Sequence, residues 1–193
     1  MKNKSPLLLL LFLFLAAATC LAQNKKIDTT VRIGRVGYKV YSNNKSADKN
    51  VLTITPDGFE RGEGGGAREM SFYAGGLVTK AEIDDLNNDG FPDLLVYVYT
   101  GHKGTAIIVT SKENKSCAPV FFPNILDDPK LRAGYRGFDE FSMLEGSLMR
   151  KFPIYNTADT DSLATGGKRI IQYKMINFEG GSKLKVERSY EIK

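Results

Sequence analysis

The sequence predicts an all-β fold: an antiparallel two-sheet β-sandwich with at most one short helix. Three observations carry that expectation. Apolar residues rarely recur at helical spacing, alternation with period two is common, and the alternating runs are separated by clusters of Gly, Asn, Asp and Pro. Alternation of this kind puts successive side chains on opposite faces of a pleated sheet, so that one face is buried and the other solvated.

The runs follow in order. Residues 31–42, VRIGRVGYKVYS, alternate Val31, Ile33 and Val36 with basic residues. Residues 51–56, VLTITP, form a short strand ended by proline, which has no amide for a ladder. Residues 76–86 lead into an acidic loop, and 93–100, DLLVYVYT, are dense in β-branched and aromatic residues that favour strands. Residues 104–111, 141–155, 168–178 and 183–193 complete the set. The single helical expectation is 124–134, NILDDPKLRAG, stopped near Gly134. The polar stretch 42–50 reads as a solvated hairpin loop. The glycine-rich 61–70 lacks the Lys-Ser/Thr ending of a phosphate loop and reads as a connection. Residues 165–169, TGGKR, read as a turn entering a strand.

The chain begins as an exported protein begins. Lys2 and Lys4 precede an unbroken apolar run, Leu7 to Ala18, too short to span a bilayer. Residues 1–22 are expected to be a signal peptide cleaved after Ala22, which leaves 23–193 as one domain, large enough to bury a core. The alternative is a lipoprotein anchored at Cys20, the only route by which a membrane enters the expectation. Cleavage leaves Cys117 alone, without an internal disulfide partner. It also lowers the formal charge of +5 by the two lysines removed. The remaining charges are mixed in sign, with no basic stripe for nucleic acid.

The acidic loop, DDLNNDGFPD (84–93), has the spacing of an oxygen-ligand site. Calcium takes six to eight oxygens, which carboxylates at alternate positions of a tight loop can supply. Asp85, Asn87 and Asp89 occupy positions one, three and five, and Gly90 the sharp turn at six. Phe91 would offer its carbonyl at seven and Asp93 its carboxylate at nine. Val96 stands where an EF-hand has its glutamate, so the loop is not an EF-hand. Two expectations stay open: a structural calcium ion held by these residues, or a metal-free turn in which Asp and Asn side chains cap their own backbone.

Longer motifs follow. AEIDDLNNDGFPDLLVYVYTGHKG precedes Gly134-Tyr135, Asp139-Glu140-Phe141, Glu145-Gly146, Leu148, Arg150, Phe152-Pro153 with Tyr155, Thr165-Gly166-Gly167, Arg169 and Tyr173. Taken in this order, over roughly residues 50–178, the run resembles the periplasmic inhibitors of i-type (invertebrate) lysozyme, the PliI-like family. The resemblance implies a two-sheet sandwich and a periplasmic or secreted location in a Gram-negative bacterium. It also implies a partner: an i-type lysozyme or another glycan-degrading enzyme. Members of that family insert a Ser-Gly-Ser-Tyr-Gly loop into the lysozyme cleft, where the serine and tyrosine meet the catalytic carboxylates. The corresponding segment here is Thr100, Gly101, His102, Lys103, Gly104 and Thr105. Both glycines remain; Lys103 stands in place of the tyrosine, and only Thr100 or His102 could replace the serine. A glycine-flanked tip carrying His102 and Lys103 could offer donors and positive charge to a carboxylate pair.

An enzyme is not expected. His102 is the only histidine, and a hairpin tip leaves a base without an orienting partner. Asp139 and Glu140 are adjacent, so in a strand they face opposite sides. The alternative function is a calcium-stabilised extracellular β-domain for adhesion or assembly. A homodimer is left open.

Overall fold

The computed structural model describes residues 25–60 and 67–193. The expected signal peptide, Cys20 and the glycine-rich centre at 61–66 lie outside the described residues. Twelve strands are described: β1 (Ile27–Ile33), β2 (Val36–Ser42), β3 (Val51–Asp57), β4 (Met70–Tyr73), β5 (Leu77–Asp84), β6 (Asp93–Thr100), β7 (Lys103–Lys112), β8 (Ser116–Phe121), β9 (Glu140–Leu144), β10 (Ser147–Pro153), β11 (Lys168–Phe178) and β12 (Gly181–Ile192). The fold is all-β.

β1–β4 form a four-stranded meander, and the other eight form one sheet in the order β5-β6-β7-β8-β12-β11-β10-β9. Pairing is antiparallel except at one seam, where β8 and β12 run parallel over Ser182↔Val120 and Lys183↔Phe121. The expectation of a wholly antiparallel fold is corrected there. The chain leaves β8 to build β9–β11 before returning, so β12 arrives in the same direction as β8.

Two cores flank β6. Tyr38, Val40, Leu52 and Ile54 of the meander pack with Val78, Leu94, Val96, Val98 and Val109. On the opposite face, Leu95 and Tyr97 pack with Ile108, Leu148, Phe152, Ile171, Tyr173 and Leu184. β6 is therefore buried on both faces from Asp93 to Val98, which is why its sequence is a continuous apolar run instead of an alternating one. The eight-stranded sheet curls around the second core, so that Tyr97 of β6 stacks on Phe141 of β9 with ring centroids 5.4 Å apart.

Several sequence expectations are corrected. The run 31–42 is not one strand: Gly34, at φ 62°, reverses the chain between β1 and β2. The run 141–155 is likewise the hairpin β9–β10, turning at Glu145-Gly146, both with positive φ. Strands β4 and β8 were not expected at all. The helix expected over 124–134 is a single 3₁₀ turn, Ile125–Asp127, followed by turns. Arg169 Nη1 donates to the carbonyls of Lys130, Leu131 and Ala133 at 2.8, 2.6 and 3.0 Å, which a helix would have used internally. The Asp128 carboxylate accepts from the amides of Lys130 and Leu131, a local bond that competes with helix formation.

The loop 42–50 is not simply solvated. Ser42, Asn44 and Asn50 are buried, and Asn44 Oδ1 accepts from Asn50 Nδ2 at 2.7 Å and from the Val78 amide at 3.0 Å. Asn44 Nδ2 donates to the Val78 carbonyl at 2.6 Å. A side-chain amide thus imitates a strand partner and ties the meander to β5.

Candidate functional site

The segment Thr100–Thr105 is a two-residue hairpin. Thr100 pairs with Lys103, leaving Gly101 and His102 at the tip. Gly101 takes φ 59°, as the first central residue of a type II′ turn requires. Thr100, Gly101, His102, Lys103 and Thr105 are exposed, whereas Gly104 is buried. Gly104, of the six residues of the expected binding loop, is the one held inside, and it is where the hairpin is anchored.

The anchor is an ion pair inside the curled sheet. Arg150 lies on the inward face of β10 between Leu148 and Phe152, both 0% exposed. Its Nε donates to Asp139 Oδ1 at 2.7 Å, with side-chain exposures of 3% and 0%. The Gly104 amide donates to Asp139 Oδ2 at 2.7 Å, and Arg150 Nη2 donates to the Gly104 carbonyl at 3.1 Å. The ion pair thereby satisfies both backbone groups of Gly104, which β8 does not reach, since β8 pairs with β7 only from Ile108 onward. The Tyr135 hydroxyl donates to Asp139 Oδ2 at 2.6 Å and accepts from Arg150 Nη2 at 3.0 Å. The Tyr99 hydroxyl donates to the Asp139 carbonyl at 3.0 Å. Burial works against the charge of Arg150, but the hydrogen bond and charge of Asp139 outweigh it and raise its pKa. Burial and the Asp139 hydrogen bond push the Tyr135 phenol well above its usual range.

The tip is braced separately. The His102 ring stacks on Phe138 with centroids 4.1 Å apart and planes 14° from parallel. The Phe138 amide donates to the His102 carbonyl at 2.6 Å. Gly137 and Phe138 both have positive φ, 106° and 61°. A Cβ on Gly137 would lie 2.8 Å from the His102 carbonyl oxygen, so only glycine permits this approach. Phe138 in turn faces Tyr155 at 6.2 Å, and the Arg136 guanidinium lies 4.8 Å over the Tyr155 ring. Lys103 makes no ion pair among the described residues, while Arg136 pairs with Asp161 at 3.0 Å. Beside the hairpin a groove of about 330 Å³ is lined by Lys103, Thr105, Asn124, Tyr135 and Arg150 among others.

The acidic loop lies apart from the hairpin tip, at the opposite end of β6. Asp85 accepts from the amides of Asp89 (3.1 Å) and Gly90 (2.8 Å), and Asp89 from that of Phe91 (2.9 Å). Asn87 Oδ1 accepts from the Asp89 amide, and its Nδ2 donates to Asp89 Oδ2 at 2.8 Å. Asp93 is separate: it is 0% exposed, and its two oxygens accept from the amides of Leu86 at 2.9 Å and Ser111 at 3.1 Å. Its carboxyl is pushed up to about 6, chiefly by burial. Asp85, Asn87 and Asp89 thus share one turn, while Asp93 serves the β6–β7 core. Cys117 is half-buried and its thiol is pushed up to about 11 by burial, so it is a poor nucleophile.

Many of the motif residues singled out in sequence meet around this hairpin. Tyr135, Asp139 and Arg150 form the anchor, Phe141 stacks beneath it, and Gly134 receives the Tyr155 amide on its carbonyl at 2.9 Å. Phe138 gave no sequence signal. Arg150 gave one: it falls in phase with Leu148 and Phe152, which makes a charged residue face inward. Compared with known proteins, the chain matches no family model and no curated protein.

Proposed function

We propose that this protein is an exported, non-enzymatic binding protein that blocks a glycan-degrading enzyme, an i-type lysozyme in the first instance, by seating the hairpin tip in its active-site cleft. The observation that supports it most is the bracing of that tip. Gly104 is clamped by Asp139 and Arg150, and the His102 carbonyl is held by the Phe138 amide. A tip fixed before binding loses little conformational freedom on association. Thr100, Gly101, His102 and Lys103 stand exposed, with a cationic side chain to meet the two carboxylates of such a cleft. The motif run described above supports the same choice of partner. In this reading the meander and strands β5–β7 of the larger sheet are the two layers of a sandwich that holds the hairpin out, and the compartment is the periplasm or the exterior.

The test is titration of i-type lysozyme with the mature chain and with a His102→Ala/Lys103→Ala variant. Inhibition by the wild-type chain that the double variant loses supports the reading. No inhibition of any lysozyme class at micromolar protein removes it.

A second reading is favoured by the convergence of Asp85, Asn87 and Asp89 in one exposed turn: a calcium-stabilised extracellular β-domain for adhesion or assembly. The two are compatible in one molecule, since the turn and the tip sit at opposite ends of β6.

A further inference from the structure

The stack of His102 on Phe138 is unexplained by the fold alone. Phe138 is a bulky residue at φ 61°, a backbone region that L side chains adopt only under constraint and that glycine or asparagine would occupy freely. Gly137 beside it is also left-handed, and the pair is held by the 2.6 Å bond from the Phe138 amide to the His102 carbonyl. Space-filling does not require a phenyl ring here, because Phe138 is only half-buried and belongs to neither core. The ring faces buried Tyr155 at 6.2 Å and covers one face of the exposed imidazole at a centroid distance of 4.1 Å. Strain kept at a surface position marks a place where geometry serves something other than stability.

We infer that Phe138 is a specificity-determining residue of the binding surface: His102 and Phe138 act as one stacked aromatic plate, with Lys103 at its edge, and the plate occupies a sugar-ring subsite of the partner's cleft. This rests on the inhibitory reading above. A glycan-degrading cleft sets its two carboxylates on either side of a bound sugar chain, so sugar-ring subsites adjoin the charged pair. Backed by the Phe138 ring and held by a fixed backbone, the exposed imidazole presents its outer face with little rotamer entropy left to lose, which a lysine alone cannot do. Lys103 then supplies the charge and the plate supplies the surface. The corner at Gly137-Phe138 belongs to the partner-facing surface even though it lies more than thirty residues from the hairpin in sequence.

The experiment measures inhibition of i-type lysozyme, thermal melting, and the NMR ring-proton shifts of His102 in the free chain, for wild type, Phe138→Gly, Phe138→Leu and Phe138→Tyr. Glycine relieves the backbone, leucine keeps bulk without a ring, and tyrosine keeps the stack. The expected result is that Phe138→Gly and Phe138→Leu lose about tenfold or more in inhibitory potency. Their His102 ring protons should move downfield as the covering ring current disappears. Phe138→Tyr should retain both potency and shifts, and Phe138→Gly should melt no lower than Phe138→Leu. A wild-type chain that inhibits while Phe138→Leu inhibits equally well overturns the inference and leaves the hairpin reading standing. Loss of potency in Phe138→Tyr with the stack intact also overturns it. A wild-type chain that does not inhibit overturns the parent reading, and this inference with it.

Discussion

Asp139 and Arg150 meet at 2.7 Å inside the curled sheet and, between them, satisfy both backbone groups of Gly104. An ion pair here does the work of a missing strand. Breaking a buried pair from one side leaves the other charge uncompensated, at about 3–5 kcal/mol. Arg150→Met and Asp139→Asn should each lower stability by that order in urea denaturation. Swapping both members of a buried pair for apolar residues is often harmless, but not at this position, because Gly104 would lose both partners. The Arg150→Met/Asp139→Leu double variant should therefore stay destabilised. Recovery to wild-type stability would show that Gly104 finds other partners.

Gly137 tests the brace at the tip. Alanine there would set a Cβ 2.8 Å from the His102 carbonyl oxygen, at φ 106°. The backbone must shift or the 2.6 Å bond to the Phe138 amide must break. The expected loss is about 1–3 kcal/mol. Amide hydrogen exchange should accelerate at Phe138 while the β6 amides, buried on both faces, stay protected. Unchanged exchange at Phe138 would show that the bond survives the substitution.

How far the sequence was legible follows from what local apolar patterning, alternating in most strands and continuous in β6, can and cannot report. It located β3, β5, β6, β7, β11 and β12, because each carries its own apolar pattern. It merged β1 with β2 and β9 with β10, because tight turns at Gly34 and at Glu145-Gly146 interrupt the alternation too briefly to register. It read a helix at 124–134 because the competitor for those carbonyls, Arg169, lies more than thirty residues away in sequence. The acidic turn was visible because its residues are contiguous. The partners of the hairpin were not, since Asp139, Tyr135 and Arg150 reach Gly104 only through the curl of the sheet.

Asp93 sets a pH dependence with a definite sign. Its carboxyl is raised from 3.8 to about 6, so the folded state holds the proton more tightly than the unfolded chain. The stability this proton contributes is fully present below about pH 3.8 and is lost as pH rises through about 6. At about 1.4 kcal/mol per pKa unit, the loss is of the order of 3 kcal/mol. Asp93→Asn, which cannot titrate, should flatten the decline of melting temperature across that window, although the amide satisfies the Leu86 and Ser111 amides less well than a carboxylate. An equally steep decline in the Asn variant would assign the effect to another group.

The acidic turn makes the last prediction. Asp85, Asn87 and Asp89 already place three oxygen-bearing side chains in one exposed loop, with backbone amides holding them in position. Two negative charges this close repel, and a divalent cation would remove that repulsion in the folded state alone. A ligand bound only by the folded chain raises stability by mass action, about 2.7 kcal/mol at a hundred times its dissociation constant. Melting should therefore shift upward with millimolar calcium relative to chelator, and Asp85→Asn/Asp89→Asn should abolish the shift. Asp93→Asn should leave much of it, because the Asp93 side chain is 0% exposed and faces the β6–β7 core, whereas Asp89 is exposed. Identical melting in calcium and chelator would mean that the turn is held by its own Asp and Asn side chains, without a metal.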